Sequence, residues 1–138
     1  MRRSRWMIVL ALGAALSPEL ARAGVTQDSF LLRNTGDLVS LCTAPQSQAL
    51  FTAAVNFCQG FVVGIFRVLN EEDAARESGK WFCLPEPAPT RNEGIASFVE
   101  WAKANPSKMD QQPADSVALF LSQQYPCPRG IPSKGASK

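Results

Sequence analysis

The 138-residue chain contains no histidine. Without an imidazole, no Ser-His or Cys-His pair can activate a nucleophile. Cysteine is present only four times, as Cys42, Cys58, Cys83 and Cys127, and no two of these form a CxxC pair. The dithiol motif of redox enzymes is therefore absent. Zinc ligands usually come in close pairs, so these wide spacings and the missing histidine argue against a metal site. No cofactor is implied. There is no alternating strand pattern, no internal repeat and no glycine-rich phosphate loop. After the first two dozen residues, we read no segment as long and apolar enough to span a bilayer, so no stable membrane insertion is expected.

Charge of one sign is scarce as well. The whole chain has 14 Lys and Arg against 12 Asp and Glu, a formal net charge of +2. Much of the positive charge lies at the start. Residues 24–138 hold ten basic and eleven acidic residues, and residues 24–128 hold seven and eleven. No basic stripe is interleaved with aromatics, so the sequence offers nucleic acid no binding surface.

The opening segment has the pattern of an export signal. Arg2, Arg3 and Arg5 precede an apolar run from Trp6 to Leu16, then Ser17-Pro18-Glu19, then Ala21-Arg22-Ala23. That order matches a positive n-region, a short apolar core and a small-residue cleavage site. We expect cleavage after residue 23, leaving Gly24 first, and a periplasmic product. The domain is then 24–128. Residues 129–138 have little apolar content and are expected to form a disordered tail.

Four cysteines in a short exported chain read as two disulfides, with three connectivities open. A helix starting near Pro45 would carry Cys58 about 18 Å along its axis. That disfavours Cys42–Cys58 and leans towards Cys58–Cys83 with Cys42–Cys127.

The apolar spacing predicts a small all-α bundle of about four helices, stapled twice. Thr35 is a candidate cap for a short helix ending at Cys42, with a turn over Thr26–Leu32 before it. Thr43 and Gln46 form a candidate capping box for the next helix, with Pro45 in its first turn. From there to about Gly79, Leu50, Ala54, Phe57, Phe61, Ile65 and Leu69 mark one apolar face, expected to make this the central helix. Thr90 and Glu93 form a second capping box, and that helix stops before Asn105-Pro106. Residues 105–112 read as a polar loop. Pro113 opens the last helix, and Tyr125-Pro126-Cys127-Pro128 ends it.

Gly60 and Gly64 interrupt the long helix at GxxxG spacing. Each costs about 1 kcal/mol of helix propensity relative to alanine. A close helix crossing would offset that cost, either inside the chain or, as the alternative, in a homodimer. Trp81 and Trp101 are candidate contacts for a protein partner, since aromatic anchors concentrate at interface centres. Trp101 lies off the strict Ile95, Phe98, Val99 and Ala102 stripe. Pro85, Glu86 and Pro87 belong to a stiff, exposed loop suited to entering a partner's groove. The loop at 105–112 is a second feature of that kind. The carboxylates of Glu93 and Glu100, and those of Glu71, Glu72, Asp73 and Glu77, read as a solvated face rather than an acid–base pair.

Four segments together have a family pattern: Gly36-x-Leu38-x-x-x-Cys42, Cys58-Gln59-Gly60-Phe61-x-x-Gly64, Phe82-Cys83-Leu84-Pro85 and Tyr125-Pro126-Cys127. With them the chain resembles, over about residues 25–128, the immunity proteins that protect bacteria from type VI secretion amidase effectors, the Tai-type family. Phe61 stands where relatives often have tyrosine. The resemblance implies a periplasmic helical protein, non-enzymatic, that binds a peptidoglycan-cleaving amidase and blocks its cleft, often as a dimer. It carries over scaffold residues and no effector-contacting residue. The alternative reading is a small periplasmic chaperone or stress protein that exposes the apolar face of the long helix. A carboxylate-based hydrolase is a third.

Overall fold

Asn34 starts the first helix. Its side-chain oxygen accepts the Asp37 N–H at 2.9 Å, so helix α1 runs Thr35–Cys42. The cap is thus one residue earlier than Thr35, and the reason lies across the fold. Thr35 is fully buried, with Oγ1 2.7 Å from Ser116 Oγ and 3.0 Å from the Gln111 carbonyl oxygen. A hydroxyl engaged inside the domain is not available to cap its own helix.

The computed structural model describes residues 24–75 and 79–128. The expected export signal and the expected tail lie outside the described residues. Among the described residues there are four α-helices and no strand, as the apolar spacing predicts. A short 3-10 turn, Gln27–Leu31, precedes α1. Helix α2 is Phe51–Ala75, α3 is Arg91–Ala104 and α4 is Pro113–Gln124.

Helix α2 begins at Phe51, not near Pro45. Thr43 does not cap it. Its hydroxyl instead donates to the Val39 carbonyl at 2.8 Å and closes α1. Residues 43–50 become a connecting loop, held by the Val25 N–H donating to Gln48 Oε1 at 3.1 Å. The late start corrects the disulfide pairing. Cys58 lies roughly 10 Å into α2 rather than 18 Å, where the helix folds back beside the end of α1. The bonds are Cys42–Cys58, with Cα atoms 5.2 Å apart, and Cys83–Cys127, at 4.8 Å.

The buried core is supplied mainly by α1, α3 and α4: Leu38 and Val39, Phe98, Val99 and Ala102, Val117, Phe120 and Leu121, joined by Phe82. A second cluster gathers Leu41, Ala44, Ala54 and Cys58. Helix α2 touches all three other helices, but only Ala54, Cys58 and Asp73 on it are buried. It lies along the core as a flank and is not enclosed. Two expectations are corrected here. First, α2 has 25 residues and is, by length and composition alone, long and apolar enough to cross a membrane. Much of its apolar content is nonetheless used within the chain, since Phe61, Val62, Ile65, Phe66 and Leu69 pack against the core. Second, the glycines make no tight internal crossing. A Cβ at Gly60 or at Gly64 would meet no atom within 4 Å.

The other boundaries follow their local signals. Thr90 and Glu93 form the reciprocal capping box of α3, Ala104 ends it, and Pro113 opens α4. Residues 105–112 are less free than a surface loop. They contain a 3-10 turn, Pro106–Lys108, and the carbonyls of Met109 and Gln111 accept the N–H groups of Gly36 and Thr35 at 2.9 and 2.8 Å. The loop buttresses the start of α1, so it does not reach outward along its whole length.

The Thr35–Ser116 contact joins α1 to α4 in a dry setting. Thr35→Val keeps the shape, removes the hydroxyl and strands Ser116. We expect it to lower the unfolding free energy by about 1–3 kcal/mol. Urea denaturation of Thr35→Val, Ser116→Ala and the double variant checks this. Coupling between the two sites makes the double variant lose less than the sum of the singles.

Candidate partner-binding site

The proline loop is held at both ends. On the near side, Asp73 on α2 is 5 % exposed. Its carboxylate accepts the Trp81 N–H at 3.0 and 3.1 Å and the Phe82 N–H at 3.4 Å. Gly79 turns the chain into this anchor with φ +95°, a conformation that suits glycine. Phe82 is buried, its ring 6.0 Å from that of Phe66. The Cys83 N–H donates to the Tyr125 carbonyl at 2.7 Å, and the Cys83–Cys127 bond ties the same point to the chain beyond α4.

On the far side, Thr90 begins α3. Its N–H and hydroxyl both donate to Glu93 Oε2, at 2.8 and 2.7 Å. The side-chain hydrogen bond, and then the backbone one, hold the exposed Glu93 carboxyl below its usual value. Between the two anchors Pro85, Glu86, Pro87 and Ala88 are exposed, and the Glu86–Pro87 peptide is cis. Proline restricts φ and offers no N–H, so the loop projects with few conformations to lose on binding. Trp81, 47 % exposed, stands at its foot.

Trp101 is placed differently. It is half-buried, stacked on Phe98 with ring centres 6.1 Å apart, and its Nε1–H donates to Gln123 Oε1 at 2.9 Å. It covers the α3–α4 seam. Thus Trp81, Pro85, Glu86 and Pro87 share one segment, whereas Trp101 belongs to another part of the surface.

Beside the loop runs a groove of about 820 Å³. Val62 and Phe66 of α2, Leu84, Ile95 of α3 and Phe120 and Leu121 of α4 supply its apolar lining. Asn56, Gln59 and Arg67 line it from α2, and Thr90, Arg91 and Asn92 from the start of α3. The sequence reading did not single out Arg67 or Arg91. A signal was present, since Arg67 is the one charged residue between Phe51 and Leu69.

The carboxylates weighed as an acid–base pair do not meet at the groove. No Asp or Glu lines the groove. Glu93 is engaged by Thr90, and Glu100 pairs with Lys103 at 3.0 Å on the exposed side of α3. All four cysteines are in disulfides, so none offers a thiolate to a metal or a substrate.

The fold is a small helical domain closed by two disulfides, bonds that suit an oxidising, extracytoplasmic compartment. The chain belongs to a family described as Rap1a immunity proteins, whose model matches residues 34–127. The match runs from the cap of α1 to the last disulfide cysteine. The family is one of immunity proteins, which act on a cognate effector by binding and not as enzymes. No curated protein matches the chain, and no solved structure does.

Proposed function

We propose that this protein is exported to the periplasm through cleavage after residue 23 and there binds and inhibits a peptidoglycan-cleaving amidase effector, as a Tai-type inhibitor. The observation that carries the reading is the family match over residues 34–127, which includes all four disulfide cysteines. The loop at 85–88 supplies a physical means. It is narrow, and it is anchored by Asp73, the Cys83–Cys127 bond and the Thr90 cap. It can enter an active cleft without a large ordering cost. Trp81 is the aromatic anchor at its base. Inhibition by steric blockade needs no catalytic group on this chain.

The test is survival. Cells directing the amidase effector of the same genome to the periplasm should lyse alone and grow when residues 1–138 are co-expressed. Equal lysis in both cases would sink the reading. In the purified complex, Trp81→Ala should weaken binding by about 30-fold or more, the scale of an interface hot spot. Replacing Pro85, Pro87 and Pro89 by serine should raise the dissociation rate with little change in thermal stability. Surface plasmon resonance and a melting curve measure the two effects.

A further inference from the structure

The groove beside the loop carries a charge that the rest of the domain does not. Residues 24–128 are acidic on balance, with seven basic and eleven acidic residues. The groove is lined by Arg67 and Arg91 and by no carboxylate. Among the described residues Arg33 pairs with Asp28 at 3.2 Å and Lys103 with Glu100 at 3.0 Å, while Lys80 and Lys108 form no ion pair and lie outside the groove. Arg67 and Arg91 form no ion pair among the described residues. Glu93 is close to Arg91 in sequence, but its carboxylate is bonded to Thr90 and it does not line the groove.

Phe66, Leu84, Ile95 and Phe120 give the groove its apolar character. A volume of about 820 Å³ lies in the range of sites that enclose a ligand. Its occupant must therefore bring both apolar side chains and negative charge. The chain's own last residues fail this requirement, because 129–138 contain Arg129, Lys134 and Lys138 and no acid. A second copy placed by two-fold symmetry presents the same patch to itself. A patch with two cations and no anion is not its own complement.

We infer that this groove receives an acidic segment of the partner protein, with apolar side chains seated on Phe66, Ile95 and Phe120 and carboxylates facing Arg67 and Arg91. The inference rests on the immunity reading only in naming the amidase effector as that partner. Engagement is then reciprocal: the proline loop enters the effector, and a segment of the effector enters the groove. Arginine suits the second half, because its planar fork can hold a carboxylate through two hydrogen bonds.

Two arms test it on the full mature chain, residues 24–138. In the first, the acetylated peptide Glu-Leu-Phe-Glu-Leu-Glu is titrated into isotope-labelled protein, beside counterparts with Gln or Lys in place of Glu. The acidic peptide should shift the signals of Phe66, Ile95 and Phe120 and bind about tenfold more tightly than the Gln form, with the preference falling as salt rises. The double variant Arg67→Glu/Arg91→Glu should remove the response, and Lys108→Glu, which reverses an unpaired charge outside the groove, should not. Equal affinity for the Lys peptide, or no shift in the groove, overturns the inference. So does a groove that responds to laurate and not to the peptide, which assigns it to an anionic lipid.

In the second arm the effector replaces the peptide. Arg67→Glu/Arg91→Glu should bind it about 100-fold more weakly than wild type, mostly through faster dissociation. An effector complex of unchanged affinity overturns the groove and leaves the immunity reading standing. An acidic peptide that binds while wild type ignores the effector does the reverse: it supports the groove's chemistry and removes the amidase as its partner.

Discussion

Replacing Cys83 and Cys127 together by alanine should lower the unfolding free energy by about 4 kcal/mol, and replacing Cys42 and Cys58 should lower it by about 3 kcal/mol. The difference comes from the unfolded chain. A cross-link removes loop-closure entropy that grows with the logarithm of the loop, and the two sequence separations are 44 and 16 residues. The shorter bond has a compensating local cost, because Cys58 is buried and its sulfur fills space between α1 and α2. The longer bond has a functional one. It holds Cys83 against the chain that leaves α4, one anchor of the proline loop. Guanidinium denaturation of the two double variants measures the stabilities. A loss below about 1 kcal/mol for Cys83→Ala/Cys127→Ala would mean that the Cys83–Tyr125 hydrogen bond and Phe82 packing already fix that junction. Effector binding should fall further for this variant than for Cys42→Ala/Cys58→Ala, since only one of the two bonds positions the loop.

Much of this fold is legible in the chain because its signals are local. Thr90 and Glu93 cap α3 as the sequence pattern says, Asn105-Pro106 stops it, and Pro113 opens α4. Each is decided by a few neighbouring residues. The start of α2 is not. Thr43, Pro45 and Gln46 read as a helix start. The end of α1 takes the Thr43 hydroxyl and a distant backbone amide, that of Val25, takes Gln48, so the helix begins later and the disulfide pairing changes with it. Thr35 makes the same point, because its true partner, Ser116, is 81 residues away. The proline loop and its Thr90 anchor could be read from the sequence, whereas the Asp73 anchor could not, since Asp73 carries no mark of burial there. The groove was the least legible feature. It exists only where α2, Leu84, α3 and α4 converge, and no single segment contains its pattern.

Phe98→Ala should lower stability by about 3–5 kcal/mol, the range for emptying an aromatic site in a closed core. Phe98 has no exposed surface. Its ring lies edge-on to Phe120 at 5.7 Å and stacks on Trp101 at 6.1 Å. Such pairs add about 0.5–1.5 kcal/mol beyond burial alone, so the loss should sit near the top of the range. The neighbours can relax only in part. Trp101 keeps its hydrogen bond to Gln123, and Phe120 remains in contact with Tyr125, ring centres 6.0 Å apart. Phe98→Leu refills part of the volume and should lose less. Denaturation followed by tryptophan fluorescence reads both effects, because Trp101 reports the cavity directly. For a domain whose total stability is about 5–15 kcal/mol, the alanine variant should fail to protect cells at 37 °C without touching the partner. At low temperature, where it is folded, the two binding features separate. The loop is anchored by Asp73, Cys83 and Thr90, none of which contacts Phe98 in a ring pair or hydrogen bond, so loop-dependent affinity should survive. Phe120 both packs on Phe98 and lines the groove, so affinity that depends on the groove should fall. A folded Phe98→Ala variant with undiminished effector binding would show that the groove's shape is set by α2 and Leu84 rather than by the aromatic cluster beneath Phe120.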